Sequence, residues 1–219
     1  AAQGPADLSH RREPLRPSPQ APAGYRHTGQ GPFSPNETIG CFARVTDITQ
    51  KSDEALAALQ AAGYDGLTIG IETGDDQALA FMNKGYRAED ILQQCRRLDQ
   101  AGIGYHFFYL TGISGAGRGE EGARATAAVC NQLHPRRIGA SMLTLYPDAP
   151  LYQEVQAGRW QEAGELEKYR ELKALVDALD IPVWFGALGA SNAIPMEGTL
   201  PKDKATLSTL LDHISRGMN

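Results

Sequence analysis

Apolar positions change their spacing along the chain, and each change marks an element. From Thr38 the pattern alternates, with Ile39, Cys41, Ala43 and Val45 set against Gly40, Phe42 and Arg44, as on a two-faced strand. Ser52, Asp53 and Glu54 then supply the polar and acidic start of a helix. Its buried stripe is Ala55, Leu56, Leu59 and Ala62, and Gly63 closes it. Leu67, Thr68, Ile69 and Ile71 predict a second strand, with Gly70 where a backbone or a ligand comes close and Glu72 just past the last apolar residue. Thr73-Gly74-Asp75 reads as a turn. Asp75 or Asp76 is placed to cap a helix with Ala78, Leu79 and Met82 on its apolar face, ended by Gly85.

The same alternation of elements continues. Ile91, Leu92, Cys95 and Leu98 recur at helical spacing over residues 88–101, with Gly102 as the stop. IGYHFFYLTG predicts an aromatic strand from Ile103 to Thr111. Its Tyr105 and His106 point to opposite faces, and the period alone does not say which points inward. Gly112, Gly115, Gly117 and Gly119 make a turn, Glu120 and Glu121 open a helix bearing Ala123, Ala127, Cys130 and Leu133, and Pro135 stops it. Residues 137–145 predict another strand, Tyr146 to Pro150 a turn, and Leu151 and Tyr152 the start of a short helix. A longer helix from Glu162 to Asp180 carries Leu166, Tyr169, Leu172, Val176 and Leu179 on one side. Val183 to Leu188 is the last predicted strand. Gly189 to Pro201 reads as a loop, and Asp203 caps a final helix bearing Leu207, Leu210, Leu211 and Ile214. Strand and helix alternate with short connections, which argues for parallel strands joined by right-handed crossovers. Ligand groups then gather at the C-terminal ends of the strands.

Residues 1–37 break this pattern. They hold seven of the 13 prolines and the basic residues Arg11, Arg12, Arg16 and Arg26, so they read as a flexible or extended arm or a foreign leader. Residues 38–219 form the domain, a barrel portion followed by a C-terminal helical extension. A chain of 219 residues, 42% hydrophobic, suffices for one sizeable core. A net charge of −5 with 21% charged residues argues against a broad nucleic-acid footprint. No apolar run is long enough to span a membrane, and no secretory leader pattern is present. Cys41, Cys95 and Cys130 lie far apart and read as buried, reduced thiols of a cytoplasmic protein.

The stretch from Gly70 to Gly85 resembles the radical S-adenosylmethionine (radical SAM) superfamily. The matching residues are Gly70, Ile71, Glu72, Thr73, Gly74, Leu79, Met82, Lys84 and Gly85, as in the fourth strand and following helix of that fold. FYLTGISGAGRGEE is similar to the family's fifth strand and turn, with Gly112 and Ile113 at the adenine. SMLTLYPDAPLY is similar to the sixth, with the backbone of Leu145 and Tyr146 beside the adenine. The last form resembles the coproporphyrinogen-oxidase-like and elongator-like subgroups. The resemblance implies an α/β fold, a partial TIM-like (β/α) barrel of parallel strands with outer helices, lacking its N-terminal strands. It implies S-adenosylmethionine as cofactor, held at its ribose or methionyl end by Glu72, with Thr73 beside it. Arg44 is a candidate for a carboxylate, although a solvated arginine is the commoner reading of such a position. The glycines after Thr111 serve equally to supply positive φ angles, and Tyr146-Pro147 equally to end a strand.

The family's radical chemistry needs a [4Fe–4S] cluster on three closely spaced cysteines after the first strand. This sequence contains neither that motif nor the Gly-Gly-Glu expected after the second strand. The chain is thus expected to be part of a longer enzyme or a truncated relative without its cluster-binding segment. The alternative is a non-catalytic α/β module that binds a nucleoside-like ligand or a protein partner. A third reading makes Glu72 the general base of another barrel enzyme. The small-molecule substrate is not readable from the sequence. A parallel sheet that begins at Thr38–Val45 leaves an open edge, and self-association through that edge is expected.

Overall fold

The computed structural model describes residues 38–217, so the proline-rich segment 1–37 lies outside the described residues. Burial alternates strictly along the central strands. In β2 (Leu67–Glu72) and β3 (Tyr105–Thr111) the odd-numbered residues are buried, and in β4 (Arg137–Met142) the even-numbered ones are. The alternation places Tyr105 in the core and His106 on the opposite face. With β1 (Phe42–Arg44), β5 (Val183–Ala187) and β6 (Met196–Leu200) these strands form one sheet, in the order β1-β2-β3-β4-β5-β6. The first five run parallel, and β6 runs antiparallel to β5.

One face of the sheet packs on a helix layer made of α2 (Asp53–Ala61), α4 (Ala88–Ala101), α5 (Gly119–Cys130), α7 (Glu165–Ala178) and α8 (Lys204–Ser215). Ile69, Ile71, Phe107, Tyr109, Ile138 and Phe185 meet Leu98, Ala127, Leu172 and Leu175 in a single core. Short helices α1 (Val45–Thr49), α3 (Asp76–Phe81) and α6 (Pro150–Gln156) lie in the connections. Among the described residues the sheet does not close, and β1 and β6 are its edges. This is the expected partial barrel with outer helices. No described helix is long and apolar enough to cross a membrane.

Five expectations need correction. The alternation from Thr38 to Val45 yields a strand only over Phe42–Arg44. At Val45 the chain turns into α1, because the Asp47 carboxylate accepts the Arg44 backbone N–H at 2.9 Å and caps the helix. The strands are not all parallel, since the supposed loop 189–201 contains β6, whose Met196 and Leu200 are buried. Leu166 is exposed, because the buried phase of α7 runs through Lys168, Leu172 and Leu175. Cys41 is exposed, whereas Cys95 and Cys130 are buried in the helix layer. Asp203 stands at the start of α8, but its carboxylate accepts the Thr199 N–H of β6 and caps no helical N–H.

The open face has its own order. The strand registers align Arg44, Gly70, Phe108, Gly139, Gly186 and Glu197 in one row across the sheet. Three of these six are glycines, and neighbouring side chains fold into the space they leave. The Trp184 indole covers Gly186, the Phe108 ring lies 3.9 Å from where a Gly139 Cβ would sit, and the Glu72 carboxylate lies 3.3 Å from that of Gly70. Arg137 stacks on Trp184, 5.5 Å from the ring centroid.

Candidate functional site

The centre of the site is the end of β2. Glu72 has φ +59°, a left-handed conformation that few non-glycine residues adopt, at the point where the β2–β3 register shifts. The Thr73 N–H closes back onto the Ile71 carbonyl at 2.7 Å, making Glu72 the middle of a three-residue turn. Tyr86 donates to the carbonyls of Gly70 and Ile71 and pins this turn from below. The turn throws the Glu72 carboxylate onto the open face, over Gly70, where Lys84 donates to it at 3.1 Å. Strain held this way is a mark of sites that need a group in one place. Glu72→Gly is expected to leave the domain about 1 kcal/mol more stable than Glu72→Ala, because glycine alone releases the left-handed strain. Urea unfolding of the two variants checks this.

The next three residues turn away from the open face. Thr73 is buried, and its hydroxyl lies 3.2 Å from that of Thr126 on α5. Thr126 gives its own proton to the Gly122 carbonyl, so it accepts from Thr73 and from the Gly74 N–H. Asp75 caps α3 through the Gln77 and Ala78 N–H groups and accepts from Ser114 and Arg118, each at 2.9 Å. The Thr-Gly-Asp turn is thus a clamp between β2 and α5, with the Thr73 side chain directed into it.

The turn after β3 is held from the helix side. Gly112, at φ +89°, donates its N–H to both oxygens of Glu171 at 3.0 and 2.9 Å, and Tyr109 donates to the same carboxylate at 2.6 Å. Glu171 lies on α7 and is fully buried, which pushes its pKa up to about 7 despite the hydrogen bonds from Tyr109 and Gly112. One turn earlier on α7, Lys168 donates to the Leu143 carbonyl at 3.1 Å and to Glu162 at 2.8 Å, tying the exit of β4 to the same helix. Ile113 is buried. Sequence reasoning missed Glu171 and Lys168. The signal was present, since both fall on the phase of Leu172 and Leu175 and so sit where a helix normally places apolar residues.

The remaining candidates divide. Leu145 is half-buried and Tyr146 exposed, both in the irregular segment after β4. Arg44 is exposed and gripped by Asp47 through two contacts, Nε to Oδ2 at 3.2 Å and Nη2 to Oδ1 at 2.8 Å. The fold therefore gathers Glu72, the Gly112 turn and the Leu145 segment at the C-terminal ends of neighbouring strands, with Arg44 on the open face beside Gly70. Two buried polar atoms at that end, Thr111 Oγ1 and Asn192 Oδ1, have no hydrogen-bond partner among the described residues. Toward the other end His106 faces the open side. Burial first, then the Arg137 and Arg136 guanidiniums, hold its pKa below the ordinary value. A larger cavity, about 630 Å³, lies on the helical side among α5, α7 and α8. There Arg124, Lys173 and Arg216 pair with Glu120, Asp177 and Asp212, and Arg170 leaves this exposed groove one positive charge in excess.

A family model described as the radical SAM superfamily matches residues 12–121. The chain belongs to the radical SAM superfamily. The match starts within the proline-rich segment and runs through β2 and β3 to the first residues of α5. Among solved structures, this radical SAM chain is similar to Elp3 of the archaeon Methanocaldococcus infernus. The TM-score is 0.60 at 12% identity, over 83% of this chain and 42% of that one. At that identity the likeness is one of fold, and the chain spans less than half the length of that relative. A smaller overlap joins it to the radical S-adenosylmethionine methyltransferase TsrM of Kitasatospora setae, solved with cobalamin and a [4Fe–4S] cluster. That match has 23% identity over 53% of this chain and 22% of that one, with a TM-score of 0.44. The cobalamin-dependent S-adenosylmethionine radical enzyme OxsB overlaps 84% of this chain and 24% of its own, with 13% identity and a TM-score of 0.39. No curated protein matches the chain.

The family's two cofactors fare differently against the residues present. Among the described residues no group of three His, Cys, Asp or Glu side chains could hold a metal ion. Cys95 and Cys130 are buried away from the open face. Burial raises both thiols, Cys130 to about 12, which opposes the thiolate form a cluster needs. These cysteines do not fit a [4Fe–4S] cluster. On the open side the Glu72 carboxylate is held at a strand end over Gly70, and a carboxylate is a group that can accept from sugar hydroxyls or an amine.

Proposed function

We propose that the open face at the C-terminal ends of β2, β3 and β4 is the nucleoside side of an S-adenosylmethionine pocket. Glu72 is its ribose- or methionyl-binding carboxylate, and the Gly112 turn and the Leu145–Tyr146 backbone border the adenine. The observation that carries this reading is the left-handed Glu72, which spends backbone strain to hold a carboxylate over Gly70 on the open face. Family membership supports it. The bound cofactor supplies a reactive sulfonium, and this chain's residues bind and orient it. Among the described residues no strand lies outside β1, and a further strand or a second copy pairing there would cover that edge.

Calorimetric titration with S-adenosylhomocysteine tests the pocket. Binding is expected, and Glu72→Ala is expected to weaken it roughly ten- to a hundredfold, the worth of one or two charge-assisted hydrogen bonds. Unchanged affinity in Glu72→Ala would remove Glu72 from the pocket. A second reading, a non-catalytic module binding a nucleoside-like ligand, is favoured by one observation, the failure of the three cysteines to converge. Anaerobic addition of iron and sulfide to the chain, followed by S-adenosylmethionine, separates the two. Cluster absorbance and cofactor cleavage support the enzyme, and binding without either supports the module.

A further inference from the structure

We propose that the open face carries a substrate slot beside the Glu72 pocket, over Gly70 and between Phe42 and Phe108, and that it takes a flat heteroaromatic ring. This rests on the reading of the open face as the ligand side of a radical SAM fold, and it adds the class of substrate. Phe42 and Phe108 project from β1 and β3 on the same face, with β2 between them. The registers set Phe42 level with Thr68 and Phe108 level with Gly70, two residues further along, so their backbones stand diagonally about 12 Å apart across β2. At the level of Phe108 the intervening strand contributes no side chain, because its residue there is Gly70, and the result is a cavity of about 370 Å³. That volume is in the range of small-molecule sites. Almost all of its lining is apolar, and Phe42 is 86% exposed, the barest large apolar side chain among the described residues.

Aromatic walls distinguish flat partners from puckered ones. A ring stacked or tilted against Phe gains quadrupolar attraction beyond its buried area, and a saturated ring of equal size gains the area alone. The polar part of the slot selects further. Thr68 on the floor makes no side-chain hydrogen bond among the described residues, so its hydroxyl is free to donate or accept. At the rim the Arg44–Asp47 pair is electrically balanced and presents an N–H donor beside a carboxylate acceptor. A balanced donor–acceptor rim suits a neutral ring edge that carries both an N–H and a C=O, and does not select for an ion. Such a ring would lie next to Glu72, where the pocket holds the reactive end of the cofactor.

Calorimetry of the whole chain with carbostyril, a flat neutral bicycle whose edge bears one N–H and one C=O, tests this. Its fully saturated, puckered counterpart with the same edge is the control. Carbostyril is expected to bind roughly tenfold tighter than the control. Phe108→Leu and Phe42→Leu are each expected to lose most of that preference, and both residues lie outside the buried core, so the variants fold. Equal affinity for the two compounds, no binding of carbostyril, or an unchanged preference in both variants would each overturn the proposal. So would a concentration-dependent dimer that Phe42→Ser abolishes and that excludes carbostyril, since the face would then belong to a second copy. S-adenosylhomocysteine titrated into the same samples reads the nucleoside pocket separately. Its failure to bind while carbostyril binds would sink the pocket and leave the slot, and the converse would sink the slot alone.

Discussion

Glu171→Ala is expected to lower the stability of the domain by about 3 kcal/mol near pH 6, a cost comparable to truncating one of the buried leucines of α7. The side chain is buried, and its removal strands the Tyr109 hydroxyl and the Gly112 N–H without a partner. A buried donor left unmade costs roughly 1–3 kcal/mol. The effect shrinks as the pH rises. Burial raises the folded pKa of Glu171 from 4.5 to about 7. The folded state therefore holds a proton that the unfolded chain has lost, and the stabilisation this gives is complete below about 4.5 and disappears as pH rises through about 7. Between those limits the wild-type protein is expected to lose on the order of 3 kcal/mol from this group. Tyr109 and Lys168 oppose the loss, and Glu167 adds to it. Glu171→Gln keeps the volume and the acceptor for Tyr109, costs about 1–2 kcal/mol, and is expected to flatten the profile. Urea unfolding of both proteins from pH 5 to pH 8 provides the comparison, and parallel profiles would show that Glu171 does not titrate in this range.

Gly74→Ala is expected to cost about 3 kcal/mol although it adds one carbon. A Cβ at this position would lie 2.7 Å from Thr126 Cα and 2.8 Å from the Ala125 carbonyl oxygen. Both are backbone atoms of α5, so no side chain can swing aside, and the helix itself must retreat. Retreat breaks the Gly74 N–H bond to Thr126 at 2.7 Å and the Thr73–Thr126 contact. Thr126→Ser keeps the hydroxyl and is expected to change stability little. Thr126→Val leaves the buried Gly74 N–H bare and is expected to cost about 1–3 kcal/mol. Equilibrium unfolding of the three variants ranks them. A Gly74→Ala protein as stable as wild type would mean that α5 docks on β2 without this close approach.

The elements that sequence spacing placed well are those whose faces differ most. β2, β3 and α4 combine a regular apolar phase with glycine or acidic stops, and their observed ends fall within two residues of the expected ones. Val45–Thr49 misled because a run with four β-branched positions continues a strand by propensity, while a carboxylate at Asp47 caps a helix instead. β6 was hidden because Pro195 and Pro201 frame a segment whose alternation depends on Met196, Gly198 and Leu200, with a glycine standing at one inward position. In the site, Glu72 was legible as a carboxylate at a strand end. Its left-handed backbone was not, because that follows from the register shift against β3 and the Tyr86 hydroxyl, both distant in sequence. Glu171 read as one more charge on a charged helix, and only the packing of α5 at Gly119 and of the β3 end at Tyr109 and Gly112 takes it out of water.

The last strand sets a direction on the whole sheet. Right-handed βα units add strands that run the same way as their neighbour. Beside β1 such a strand would continue the existing polarity, but beside β6 it would run against the first five. Exposed Glu197 and Thr199 on β6 also make that side a poor place to add one. Among the described residues the sheet therefore has one finished edge and one extensible edge, and the proposed Phe42–Phe108 slot lies at the extensible one. A strand that paired there would become a wall of that slot, so the neighbour of β1 would set the width of the proposed opening.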